Sequence, residues 1–253
     1  MPAPSGAVIL DMVVPFRPLK LRTPFAVYSG RVSDASTGGS IWSRPRRGTR
    51  GPTPTHGRDD IAAAAVALAD TDGLDAVSMR AVAGALGMAA GSLYRHLSSR
   101  DDLLDLMVDR CVGELRPYPT DDGSWTDQFL LLARRQLALH RRHPWLPDAL
   151  ARRAVPGPNT LAYFDACLRI LAPVRAGVAA KFEAIAMVTG VVSLFARSAA
   201  STGTVTFDHV DLADHPHLAA AFAAPPTATP PGDDLFARTL RALLTGLLTV
   251  DRP

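Results

Sequence analysis

The chain has 253 residues, 47% of them hydrophobic and 20% charged, enough apolar material for a sizeable core in one or two domains. A formal charge of +3 hides an asymmetry: residues 1–58 carry 9 Lys and Arg against 2 Asp, a net +7, while residues 59–253 carry 18 against 22, a net −4. The two cysteines, Cys111 and Cys167, stand far apart in no Cys-x-x-Cys spacing, which excludes a disulfide framework and the usual zinc sites and makes reduced thiols the default.

Within residues 1–43, Val8-Ile-Leu-Asp-Met-Val-Val and Pro24-Phe-Ala-Val-Tyr are β-prone, but Pro15, Pro18 and Pro24 interrupt them. This stretch has no membrane-spanning apolar run and no basic region of the kind that opens a secretory signal. It reads as a disordered tail, or as residues ahead of the true start. Arg44-Pro-Arg-Arg-Gly-Thr-Arg-Gly-Pro is too rich in Arg, Gly and Pro to build a core. Residues 1–57 are therefore expected to form a flexible, basic, disordered arm. The arm could follow the phosphate backbone or enter a minor groove, or be a solvated linker whose arginines bind nothing.

Structure is expected to begin at Arg58-Asp-Asp-Ile, an alanine-rich helix with Asp59 and Asp60 at its positive end and Ile61, Ala65, Leu68 and Ala69 on one face. Gly73 ends it. Ser78 is a good N-cap for a second helix whose Val82, Ala83 and Leu86 face inward, and Gly87 stops that helix. A third helix, from Ala89 or Ala90 to His96, buries Leu93 and presents Ser92, Tyr94, Arg95 and His96. Two helices about a glycine turn form a helix-turn-helix, whose second helix enters the major groove; such pairs also occur in all-α proteins that never meet nucleic acid. Ser99, with Asp101 and Asp102 behind it, caps a fourth helix whose Leu103, Leu104, Met107 and Val108 mark its buried stripe.

The remainder also reads as helical. Pro117-Tyr-Pro-Thr-Asp-Asp-Gly is a linker, and Trp125 to about His143 forms an amphipathic helix ended by His143-Pro-Trp. A short helix is expected over 146–153, and another from Asn159 or Thr160 to Leu171. A long apolar helix runs from Val174 to about Ala200, a short one over 218–223, and a last one from Leu235 to about Val250. The run His209-Val-Asp-Leu-Ala-Asp-His-Pro-His217 gathers possible metal ligands, yet its composition favours a solvated connector, so no metal site is assigned. No phosphate loop, Gly-x-Ser-x-Gly or His-Glu-x-x-His occurs, and no enzyme chemistry can be assembled.

The run Gly73-Leu-Asp-Ala-Val-Ser-Met-Arg-Ala-Val-Ala-Gly-Ala-Leu-Gly-Met, followed by Gly91-Ser-Leu-Tyr-Arg-His-Leu-Ser-Ser-Arg-Asp-Asp-Leu-Leu, resembles the DNA-binding domain of TetR-type (tetracycline-repressor-like) transcriptional regulators over roughly residues 58–110. Trp125-Thr-Asp and Gly157-Pro-Asn resemble the matching tetracycline-repressor-type C-terminal domain. The resemblance implies an all-α protein: a three-helix helix-turn-helix domain over 58–116 and a helical ligand-binding and dimerisation domain over 117–253. It implies DNA contacts from Ser78, Met79, Arg80, Ala90, Gly91, Ser92, Tyr94, Arg95, His96 and Arg100. Met79 departs from the family's usual Thr or Ser, and Ala90 and Gly91 offer little for base readout, leaving Arg80, Ser92 and Arg95 to carry specificity.

Residues 125–195 are expected to enclose an effector pocket, with Met107, Phe129, Leu132, His140, Trp145, Phe164, Cys167, Leu168, Met187 and Phe195 as candidate lining, fewer than half of them touching ligand. The apolar helices around 184–195 and 235–248 are expected to pair with their twofold mates. The function implied is a cytoplasmic, homodimeric, non-enzymatic regulator. It would repress by binding a palindromic operator in double-stranded DNA and be released by a small-molecule effector, with no cofactor and no membrane partner. The competing readings are a nonspecific or architectural DNA-binding protein driven by the basic arm and, more weakly, a helical enzyme or ligand-binding protein.

Overall fold

The computed structural model describes residues 40–43, 56–120, 123–152, 155–200, 214–223 and 234–248. The arginines of the arm, both β-prone stretches and residues 209–213 lie outside them. The described residues are helical, without strands. In chain order the helices are α1 (Arg58–Asp72), α2 (Met79–Ala85), α3 (Ala90–Leu93), α4 (Arg100–Gly113), α5 (Trp125–Arg142), α6 (Leu146–Leu150), α7 (Pro158–Ile170), α8 (Val178–Ala200), α9 (Pro216–Ala223) and α10 (Leu235–Leu248), with a 3₁₀ turn at Leu74–Ala76.

Their boundaries follow local chemistry. The Asp60 carboxylate accepts the Gly57 N–H (2.8 Å) ahead of α1, and Gly73 ends that helix at φ +83°, where a side chain would be strained. Ser78, Ser99 and Ser124 each accept a backbone N–H in the first turn of α2, α4 and α5. Asp234 does the same for Ala237 in α10. Gly87, at φ +63°, turns the chain from α2 into α3. The α-helical part of α3 is shorter than expected. After Leu93 the bonds tighten to i→i−3, Arg95 to Ser92 and His96 to Leu93, so Tyr94–His96 form a turn. Residues 171–173 likewise form a turn, with 174–177 irregular before α8, and Pro216 and His217 open α9 instead of lying in a connector.

Helix α1 packs along α4, with α2 and α3 beside it, and α4 also packs against α7. Helix α5 lies on α8, which in turn packs on α10. One buried apolar cluster runs through both halves, from Ile61 and Leu93 through Leu103, Met107 and Phe129 to Ile185 and Leu240.

Residues 40–43 correct the expectation of a wholly disordered arm. They form a tight turn whose Ile41 is completely buried in that same cluster. Burial of one isoleucine contributes about 1.5–3 kcal/mol, enough to hold a short segment that also makes hydrogen bonds.

Candidate nucleic-acid interface

The outer surface of the first four helices carries the residues expected to meet DNA, and the structure sorts them into three groups. Arg80, Ala90, Gly91, Tyr94 and Arg95 are exposed, with Tyr94 at 58%. Arg95 Nη2 donates to Ser92 Oγ (2.8 Å), so these two side chains form one polar unit at the tip of α3. Ser78 Oγ accepts the Ala81 N–H (3.1 Å) and keeps its own proton to donate outward. His96 is half-buried; burial, then Arg95 and Arg58, hold its imidazole below the ordinary value, so at neutral pH it can offer a neutral hydrogen-bonding edge.

Two expected contacts lie elsewhere. Met79, 9% exposed, packs inward beside Val82, because the first position after the Ser78 cap falls on the apolar side of α2. Arg100 turns back on the chain: its Nε donates to the Val77 carbonyl (3.2 Å) and its Nη2 to the Leu74 carbonyl (3.1 Å). Those carbonyls belong to the turn between α1 and α2, so Arg100 braces the start of the helix-turn-helix. Leu93 and Leu97 are core, at 0% and 1% exposure.

Beneath this face lies a junction with the later helices that sequence reasoning missed. Asp70, near the end of α1, accepts from Trp145 Nε1 (2.6 Å) and pairs with His143 Nδ1 (2.7 Å), while His143 Nε2 faces Glu114 Oε1 (3.3 Å). Trp145 is therefore a structural tie to α1, which corrects its expected place in the effector pocket. The Cys111 sulfur, a Glu114 carboxylate oxygen and a ring nitrogen of His143 lie within 4.8 Å of one another. Both His143 nitrogens already face carboxylates, which leaves the group a paired imidazole. Burial pushes the Cys111 thiol up, and the Cys167 thiol up to about 12, so neither is a reactive nucleophile at neutral pH.

Two aspartates on α4 complete the junction. Asp109 receives the backbone and side chain of both Asn159 and Thr160 at the start of α7 (2.9–3.3 Å). Asp105 accepts the Val155 N–H (3.1 Å). Burial pushes the Asp105 carboxyl up to about 6, with Asp102, Asp101 and Asp109 adding to the shift and the Val155 N–H opposing it. A value raised above that of an exposed carboxyl means that protonation favours the fold: the contribution is complete below about pH 4 and is lost as pH rises through about 6. Asp105→Asn, which keeps an acceptor for Val155, is expected to raise the melting temperature at about pH 7.5 and to flatten its rise towards about pH 5.5. Thermal melts of both proteins across that range check it.

In the C-terminal helices, Phe129, His140 and Cys167 are buried and Phe164 is half-buried, its ring against Phe182 (5.8 Å). Met107 is also buried, but within the core shared with the first four helices. Met187 is 46% exposed on the outer side of α8, which removes it from any interior pocket. A buried polar layer replaces it. Gln136 Nε2 donates to Thr189 Oγ1 (3.1 Å), Tyr163 OH reaches Gln136 Oε1 (3.5 Å), and Ser193 Oγ lies 3.4 Å from His140 Nδ1. Burial, then Arg197, pushes His140 down to about 4, and its Nε2 has no partner among the described residues.

Residues 61–107 match the family described as bacterial regulatory proteins, tetR family, and residues 117–250 match the tetracyclin repressor-like C-terminal domain. The chain belongs to the TetR family. It is a DNA-binding transcriptional regulator. Among relatives, it is 38% identical over 181 residues to the HTH-type transcriptional repressor DrrR1 of Streptomyces coeruleorubidus, covering 67% of each chain. It is 36% identical over 197 residues to an HTH-type transcriptional regulator of Saccharopolyspora erythraea, covering 74% of this chain and 83% of that one. Apo ActR from Streptomyces coelicolor superposes with a TM-score of 0.63 at 25% identity, covering 78% of this chain and 97% of ActR. ActR has also been solved in complex with actinorhodin.

Proposed function

We propose that this TetR-family regulator is a homodimeric repressor that holds a twofold-symmetric operator and releases it when a small organic effector binds among its C-terminal helices. In this reading residues 58–116 are the DNA-binding domain and 117–253 the effector and dimer domain, and the protein works in the cytoplasm as a regulator and not as an enzyme. Arg80, Ser92, Tyr94 and Arg95 meet the duplex, with Ser78 on phosphate. Ala90 and Gly91 let the backbone approach closely.

The observation that carries the proposal is the outer face of α8. Val178–Ser198 has a mean hydropathy of 1.7, yet only 28% of this stretch is buried within one chain. Its inner side, Ala184, Ile185, Val188 and Val192, packs inside the protein, while Met187, Gly190 and Leu194 face out at helical spacing. Glu183 and Arg197 bound this seam with opposite charges, the pattern a twofold copy of the same helix would complement. On the neighbouring α10, Ala242 and Gly246 are exposed and small enough to admit a second chain.

The effector reading is supported by the His140 layer. A neutral, buried imidazole with an unpaired nitrogen calls for a partner. With Gln136, Tyr163, Thr189 and Ser193 around it, that layer suits an uncharged organic molecule bearing hydroxyl or carbonyl groups. An effector favouring a state whose two recognition helices no longer match successive major grooves would couple binding to release. ActR, solved with actinorhodin, offers the analogy.

Selection from a random duplex pool at near-physiological salt tests the proposal. A twofold-symmetric site is the expected result; enrichment without symmetry, with a steep salt slope, would favour binding by the basic arm alone. On the selected site, Arg95→Ala is expected to weaken binding by about 10- to 100-fold, the loss of one guanidinium contact to a base edge. The dimer and its melting temperature should not change, since the Arg95 side chain is exposed and its hydrogen bond goes to Ser92, three residues back in the same turn. Fluorescence anisotropy and thermal melts would decide.

A further inference from the structure

We infer that the Ser40–Ser43 turn is a strap that fastens the helix-turn-helix half to the α6–α7 corner and so sets operator affinity. The inference builds on the repressor reading above. The turn is closed by its own serines: the Ser43 N–H and Oγ both donate to the Ser40 carbonyl (3.0 and 2.8 Å), and the Trp42 N–H donates to Ser40 Oγ (3.2 Å). This projects Ile41 into the core, where it is fully enclosed although, Trp42 apart, the residues around it in sequence are Gly, Ser, Arg and Pro.

The strap touches both halves of the protein at once. Arg58, the first residue of α1, donates to the Ile41 carbonyl (2.9 Å). Trp42 Nε1 donates to the carbonyl of Val155, the residue whose own N–H is held by Asp105 of α4 (3.0 and 3.1 Å). Next to it, Gly157 leaves the space that Trp42 fills. A Cβ there would stand 2.4 Å from Trp42 Cζ2 and 2.4 Å from Asp109 Cγ. Its φ of −89° is open to any residue, so the need for glycine is one of room and not of backbone conformation. Trp42 and Gly157, 115 positions apart in sequence, are thus fitted to each other. Sliding α4 and α7 past one another would break the Arg58 bond, the Trp42 bond or the seat of Ile41. A strap of this kind restricts the helix-turn-helix half to fewer orientations and lowers the cost of matching an operator.

The test is the full chain carrying Ile41→Ser and Trp42→Ala, with Arg44, Arg46, Arg47 and Arg50 left in place. Two readouts are needed: hydrogen exchange in α4 and at the start of α7, and affinity for the selected operator across a salt series. We expect exchange there to rise about tenfold and operator affinity to fall about tenfold with an unchanged salt slope, while Ile41→Val behaves as the parent. Unchanged exchange overturns the docking. Faster exchange with unaltered affinity overturns the coupling to DNA. A flatter salt slope overturns it too, because lost phosphate contacts of the arm would then explain the weaker binding. A parent chain that selects no operator overturns the repressor reading and with it the claim on affinity, while the exchange data still judge the docking.

Discussion

Leu194→Asp is expected to leave the chain folded but monomeric at micromolar concentration, and to cost about 10²- to 10⁴-fold in operator affinity. Leu194 is 59% exposed on α8, so an aspartate there meets water in the single chain and disturbs none of its packing. In the proposed dimer it would be buried in the seam formed with Met187 and Gly190, where taking a carboxylate out of water is costly. The affinity estimate follows from valency: two linked recognition helices hold two half-sites with an effective concentration that neither has alone, a gain of about 10²- to 10⁴-fold. Light scattering after gel filtration measures the mass, and a far-ultraviolet spectrum shows whether the helices persist. A Leu194→Asp protein that remains a dimer would move the interface away from α8. Arg95→Ala provides the contrast, since it weakens DNA binding while the mass stays that of the parent.

What could be read from the sequence was the chemistry that acts within a few residues. Ser78 and Ser99 announce helix starts because an N-cap bonds only two or three positions ahead. Gly73 and Gly87 mark turns because no other residue takes their φ cheaply. The order helix, turn, helix is written in such signals, and it carries the family resemblance. Arg100 shows where that reading stops. A basic residue at a helix start looks like a phosphate contact, but its partners are carbonyls 23 and 26 positions upstream, which no local pattern reveals. Met187 fails for another reason. Helix α8 is apolar over more than one face, so periodicity does not separate its inner face from its outer one; packing against α5 and α10 does. Ile41 is the extreme case. Trp42 apart, it sits among Gly, Ser, Arg and Pro, which cannot form a core, and the hydrogen-bond partner of Trp42 lies 113 positions away. The junction as a whole escapes notice for the same reason: Asp70, Asp105 and Asp109 look like solvated helix acids until the chain brings Trp145, Val155 and Thr160 to them.

Asp109→Ala should cause the largest loss of stability of any single change at this junction, about 3 kcal/mol, a fall of roughly 6–12 °C in melting temperature for a chain of this size. The side chain belongs to a residue only 5% exposed, and its carboxylate receives four donors from the first turn of α7. Two of those donors are backbone N–H groups that α7 cannot satisfy internally, and the carboxylate also faces the positive end of the helix dipole. Removing it orphans those groups where water has little access and leaves a void beside Trp42 and Gly157. Asp109→Asn separates the causes. An amide preserves the volume and one acceptor oxygen but turns an NH₂ towards donors, so it should recover only a minor part of the loss. The consequence should extend to function, because Asp109 is the most heavily bonded of the ties between α4, which is packed on α1, and α7, which belongs to the C-terminal helices. Urea titrations of the three proteins measure the stability, and operator affinity at a temperature where all are folded measures the tie. If Asp109→Ala unfolded at the same urea concentration as the parent, α7 would not depend on this cap. If it were destabilised but bound operator as tightly, the junction would hold the fold together without governing how the recognition helices are presented.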